Sequence, residues 1–205
     1  METARVDLYW IPLGAGGAAA VRVSGRVYEG IQARREGRRP RALYHTALEV
    51  RLPEGRFVIE NAWPSPDDDL AARGVVVAGP VWSRRAARLR WFRYEVRCWR
   101  DGVILDAGEA VGGPVPLSDD PAAGRSLLAA VPTVPPLLWG RRLPGAAEMW
   151  NSNSVIAYLL ARGGLDPAAC RVPDGGRAPG WETGIAIARR RDIPVASRPA
   201  GTRRG

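Results

Sequence analysis

The sequence predicts an α+β domain, a mainly antiparallel sheet packed against a helix that carries the candidate nucleophile. Three observations carry this. β-rich runs come in pairs joined by short turns, most clearly Leu43–Val50, the turn Pro53-Glu54-Gly55 and Arg56–Asn61, which is a hairpin pattern. Two later segments place apolar residues at helical spacing directly behind capping residues. The length, 205 residues, suits one core and not two.

The elements follow in order. Val6, Leu8, Trp10 and Pro12 predict a first strand over 5–13, ended by Gly14–Gly17. Val21, Val23, Val27 and Ile31 predict a strand over 20–31, and the arginine-rich stretch from Gln32 to Arg41 a solvated loop. After the hairpin, two prolines and three aspartates between Trp63 and Asp69 break regular structure, and 74–82 is an apolar strand. Between Trp91 and Trp99, Phe92, Tyr94, Val96 and Cys98 alternate with Arg93, Glu95 and Arg97, a half-buried strand. Asp101-Gly102 predicts a turn into a further strand, Val103-Ile104-Leu105.

The first helix begins at Ser118-Asp119-Asp120-Pro121, with Leu127, Leu128 and Val131 as its apolar face and Pro132 and Pro135-Pro136 as its end. The second begins near Asn153. It buries Val155, Ile156, Leu159 and Leu160 and stops at Gly163-Gly164. Beyond Asp166 the chain reads as loop with a short apolar run over 184–188. Pro179-Gly180-Trp181 is expected to fold back over the candidate site. The domain spans 1–196, with 197–205 a flexible tail.

Composition narrows the function classes. The formal net charge is +9, and every basic residue is arginine. The arginines are scattered and no nucleic-acid recognition motif organises them, so nucleic acid is not the expected partner. No apolar run reaches the roughly 18 residues of a membrane span, and the first residues lack the order of a signal peptide, so a cytoplasmic protein is expected. Cys98 and Cys170 fit no metal-ligand spacing and read as two buried thiols. Asp67-Asp68-Asp69 lacks the companion ligands of a calcium loop and reads as an exposed turn. Gly14-Ala15-Gly16-Gly17 lacks the Lys-Ser/Thr of a phosphate loop and precedes a predicted strand. Trp82, Trp91 and Trp99 lie near arginines and are expected in the core or at interfaces. No metal and no cofactor are expected.

The candidate chemistry rests on two features. His45 is the only histidine, hence the only side chain that titrates near neutrality without perturbation. Asn151-Ser152-Asn153-Ser154 opens a helix. One such residue suffices to cap a helix, and a nucleophile there gains from the dipole and from free N–H groups that can hold an oxyanion.

A strand histidine, a partner strand carrying Glu60-Asn61 and a late helix opening Asn-Ser-Asn-Ser resemble the permuted papain-like superfamily. That group includes NlpC-type peptidases, lecithin–retinol acyltransferase-like proteins and deubiquitinating-type hydrolases. The resemblance covers 43–61 and 149–165. It implies a papain-like fold and an amide or ester hydrolase or acyltransferase acting on a small-molecule, peptide or lipid substrate. Ser152 would be nucleophile, His45 base and Glu60 the orienting group, with Asn151, Asn153, Ser154 and Asn61 around the substrate. Serine stands at Ser152 where the family carries cysteine, which leaves a Ser–His–Glu arrangement or an altered activity. The alternatives are a non-catalytic binding module on the same scaffold and a basic nucleic-acid-binding protein. Catalysis predicts that Ser152 and His45 meet within about 2.6–3.2 Å, or somewhat looser without substrate.

Overall fold

The computed structural model describes residues 3–15, 19–64 and 74–190. Asp67-Asp68-Asp69, Gly16-Gly17 and the tail 197–205 lie outside the described residues. The fold is α+β: six antiparallel strands and four helices. The strands are β1 (Arg5–Pro12), β2 (Tyr44–Leu52), β3 (Gly55–Ala62), β4 (Val75–Pro80), β5 (Arg93–Arg100) and β6 (Val115–Ser118). The helices are α1 (Ala19–Arg35), α2 (Pro121–Ala130), α3 (Ser152–Arg162) and α4 (Trp181–Ala188). The sheet runs in the order β4-β5-β3-β2-β1-β6.

Strand alternation gives the sheet two unlike faces. Val6, Leu8 and Trp10 of β1, Leu48 and Val50 of β2, Ile59 of β3 and Tyr94 and Val96 of β5 form one continuous core with Leu127 of α2, Val155 to Leu160 of α3 and Ile185 and Ile187 of α4. Trp150 and Tyr94, both fully buried, solve their polar atoms in series: Trp150 Nε1 donates to the Tyr94 hydroxyl (3.1 Å), which donates to the Leu137 carbonyl (3.0 Å). The other face carries a smaller cluster of Tyr9, Ile11, Ala47, Val58 and Ile104. Beside it is an ionic lattice in which buried Asp7 meets Arg5 and Arg51, and Glu49 meets Arg51 and Arg56.

Four expectations need correction. Residues 20–31 are helical, within α1. Val23, Val27 and Ile31 recur every fourth residue, which is a helix face, and the Val21–Val23 pair imitates strand period over too short a window. A helix, not a strand, therefore follows Gly14. Val103-Ile104-Leu105 does not pair. Asp101 takes a left-handed backbone (φ 55), only Ile104 turns inward, and Leu105 is 93% exposed. The apolar run near 184–188 is a helix, α4, and β6 closes the edge of the sheet unforeseen. Both are short elements whose partners lie far along the chain.

Cys98 and Cys170 are free and half-buried, and burial pushes each thiol up to about 11. Among the described residues, no helix is long and apolar enough to cross a membrane.

Helices α3 and α4 touch through Gly184. A Cβ there would lie 2.2 Å from the Ser154 carbonyl oxygen, a backbone atom that cannot swing aside. Gly184→Ala is expected to destabilise the fold by about 1–3 kcal/mol, the usual cost of overpacking, read as a lower urea midpoint. An unchanged midpoint would show that the two helices separate freely.

Candidate functional site at the start of helix α3

The four residues that open α3 divide their work. Asn151 is the N-cap. Its Oδ1 accepts from the Ser154 backbone N–H and the Ser154 Oγ accepts from the Asn151 N–H, both at 3.2 Å, a reciprocal capping box. Asn151 Nδ2 donates to the Pro179 carbonyl (2.8 Å), and Ser154 Oγ, fully buried, donates to the Gly180 carbonyl (2.7 Å). Pro179-Gly180-Trp181 does fold back onto the helix start. Glu148 holds that segment by accepting from the Gly180 N–H (2.5 Å) while pairing with Arg177 (2.6 Å).

Asn153, 3% exposed, faces the strand. Its Nδ2 donates to the Tyr44 carbonyl (2.9 Å) and to the Pro179 carbonyl (3.0 Å), and its Oδ1 accepts from Thr46 Oγ1 (3.1 Å). Tyr44 and Thr46 flank His45. Asn153 follows Ser152. The clamp therefore ties the chain on both sides of the histidine to the residue next to the serine. It acts where β2 has lost β3 as a neighbour, since β2–β3 pairing runs only from Leu52↔Gly55 to Leu48↔Ile59. The Tyr44 backbone at that open edge is satisfied by Asn153 and by the Arg177 carbonyl.

Ser152, the first helical residue, is half-exposed, and its hydroxyl has no hydrogen-bond partner among the described residues. No hydrogen bond joins it to His45. The helix end leaves backbone N–H groups unpaired within the helix, as every helix N-terminus does.

His45 is a quarter exposed, and its alternation places it beside Ala47 and Ile11 on the smaller cluster's face. Its Nε2 donates to Asp106 Oδ2 at 3.0 Å. That hydrogen bond holds the Asp106 carboxyl below its usual range against the opposing effect of burial. With the proton on Nε2, the neutral ring carries its lone pair on Nδ1. Asp106, and not Glu60, is the carboxylate hydrogen-bonded to His45. It comes from the turn after Ile104, and nothing local marks it, because its partner is 61 residues away.

Glu60 lies near enough to His45 and Asp106 for their charges to act on it. Burial pushes its carboxyl up to about 7, Arg97 opposing and Asp106 reinforcing the rise. Glu49, a further candidate for orienting the histidine, is taken by Arg51 and Arg56. Asn61 has a buried Nδ2 without a hydrogen-bond partner.

No protein-family model matches the chain, and no curated protein or solved structure matches it at a significant level. The site must be read from its own geometry.

A cavity of about 670 Å³ lies between α1 and the ends of β1 and β2, and none of His45, Asp106 and Ser152 lines it. It is lined by Pro12 at the end of β1, by Leu43 just before β2, by Glu109 from the turn that follows Asp106, and by Gly25 and Arg26 of α1. Its size is that of a small-ligand site. Among the described residues no group of His, Cys, Asp and Glu could hold a metal ion.

The raised Glu60 carboxyl has a measurable consequence. The unfolded chain ionises near the ordinary value of 4.5, whereas the folded chain keeps this proton up to about 7. The folded state binds more protons in that window, so stability falls as pH rises through it. Glu60→Gln is expected to flatten that part of the stability profile and to gain on the order of 1–3 kcal/mol over wild type on the alkaline side. Parallel profiles from urea unfolding at several pH values would show that Glu60 is not buried as described.

Proposed function

We propose that the protein is a hydrolase or acyltransferase of permuted papain-like type, acting on an amide or ester, with Ser152 as nucleophile, His45 as base and Asp106 as the group that orients the histidine. The observation that supports this most is the Asn153 clamp, which ties the strand on either side of the Asp-paired histidine to the residue that follows a helix N-terminal serine. Asp106 accepts from Nε2–H and fixes the tautomer, so Nδ1 is the atom that takes the Ser152 proton during attack. The Ser152 oxygen adds to the carbonyl carbon, and the backbone N–H groups at the start of α3 receive the oxyanion. As the tetrahedral adduct collapses, the bond to the leaving group breaks and His45 gives that group the proton; water or an acceptor, deprotonated by His45 in turn, then attacks the acyl-Ser152 ester and frees the serine. Glu60, its carboxyl pushed up to about 7 by burial, keeps its proton below neutrality and leaves Asp106, held down by the histidine, as the ionised partner of the ring.

A non-catalytic binding module on the same scaffold is the second reading. Two observations favour it: the Ser152 hydroxyl makes no hydrogen bond to His45, and His45 lies on the face of the sheet opposite the one against which α3 packs.

Two measurements separate them. A fluorophosphonate probe is expected to label wild-type protein at Ser152, found by peptide mapping, and to fail on Ser152→Ala and His45→Ala. The variant S152C is expected to alkylate with iodoacetamide at a pH well below that of an ordinary thiol near 8.5, and His45→Ala is expected to abolish that advantage. Cys98 and Cys170, both raised by burial, stay slow in this range and mark the background. No labelling of Ser152, with S152C reacting as an ordinary thiol whether or not His45 is present, would overturn the catalytic reading and leave the binding module.

A further inference from the structure

The connection between β4 and β5 is a compact closed loop. The Val81 N–H donates to the Phe92 carbonyl (2.8 Å) at its neck, and two turns of 3-10 helix, Ala86–Arg88 and Arg90–Phe92, fill it. Such loops pack on themselves and hold a fixed outer surface. Here that surface is apolar and basic at once. Trp82 is 79% exposed, and Leu89 and Trp91 are each 60% exposed. Arg84, Arg85 and Arg88 are exposed between them and have no ion pair among the described residues. No acidic residue occurs from Val81 to Tyr94.

The exposure is built in. Trp82 sits at φ 69, a left-handed backbone that a bulky side chain adopts only under constraint from its surroundings. Its ring leans on Phe92 at 6.1 Å between centroids and leaves the outer side bare. Trp10 and Trp150, by contrast, are spent on the core, and Arg51, Arg97 and Arg177 on carboxylates. This loop does neither, and clustered bare apolar groups of this kind mark a binding surface.

We infer that the β4–β5 loop is a peripheral docking surface for an anionic lipid bilayer, with Trp82, Leu89 and Trp91 entering the interfacial layer and Arg84, Arg85 and Arg88 meeting lipid phosphates. Tryptophan belongs at that depth because its ring is apolar and its N–H is wet, and arginine stems can lie in the interface while the heads hold phosphate. The charge is complementary to an acidic leaflet. A single-stranded nucleic acid would use the same arginines, but it stacks on rings within a groove and has no use for a bare leucine. These rings project, and Leu89 is as exposed as Trp91. The inference stands apart from the site at α3.

The test uses the whole protein and sedimentation with vesicles, either phosphatidylcholine alone or an equal mixture with phosphatidylserine. Binding is expected to the mixed vesicles, to be weak on the neutral ones, and to fall as salt is raised. Each of Arg84→Ala, Arg85→Ala and Arg88→Ala is expected to lower the partition coefficient about fivefold. Trp82→Gly relieves the left-handed backbone, so a loss of binding in that variant is not a loss of folding, and the double change with Trp91→Ala is expected to abolish binding. Circular dichroism confirms that each variant folds. Equal binding to both vesicle types, binding untouched by the tryptophan changes, or salt-dependent binding of a single-stranded oligonucleotide through these arginines with none to vesicles would each overturn the inference.

Discussion

The structure depends on what happens to the Tyr44 backbone where β3 turns away from β2. A strand edge buried without partners leaves carbonyl and N–H groups that cost about 1–3 kcal/mol each. Asn153 supplies the answer. One buried amide meets the Tyr44 carbonyl, the Pro179 carbonyl and the Thr46 hydroxyl, so strand, helix start and the segment leading into α4 are held by a single side chain. Because the amide is nearly sealed from water, none of its bonds is exchanged cheaply for a solvent bond.

The two faces of the sheet differ because strand alternation sorts their side chains. The helical face is continuous and apolar, and α3 and α4 pack on it closely enough that Gly184 has no room for a side chain. The opposite face is divided. One part is apolar under Ile104, and the rest is an arginine–carboxylate lattice. His45 stands at the boundary, half-buried beside Ile11 and bonded to Asp106. A histidine there is dry enough for its tautomer to be set by one carboxylate and open enough to be reached.

Arginine dominates the polar structure for a related reason. Its planar fork can hold two acceptors at once, so buried carboxylates are shared: Glu29 meets Arg38 and Arg177, and Arg177 also meets Glu148. Glu29 is 2% exposed, and its Oε1 also accepts from the Arg41 N–H (2.9 Å), which ties α1 to the loop before β2. The net positive charge thus conceals many satisfied pairs. What distinguishes the β4–β5 loop is the lack of carboxylates, not the number of arginines.

The sequence alone determined the elements whose period and punctuation are local. The hairpin of β2 and β3 is legible from alternation around Pro53-Glu54-Gly55. The start of α2 is legible from Asp120 before Pro121, and α3 from its cap and apolar stripe. His45 and Ser152 were legible as residue types, one the sole histidine and the other a serine at a helix start. Tertiary structure decided the rest. The helix over 20–31 was obscured because Val21 and Val23 imitate strand period, although Val23, Val27 and Ile31 already carry helical spacing. The role of Asp106 depends on a turn that packs across the sheet, 61 residues from its partner. The separation of Asn151, Asn153 and Ser154, which hold the fold, from Ser152, which does not, depends on carbonyls supplied by Tyr44, Pro179 and Gly180. Local chemistry names candidates. Contacts between residues distant in sequence assign their partners, because hydrogen bonding and burial are set by what the folded chain brings near.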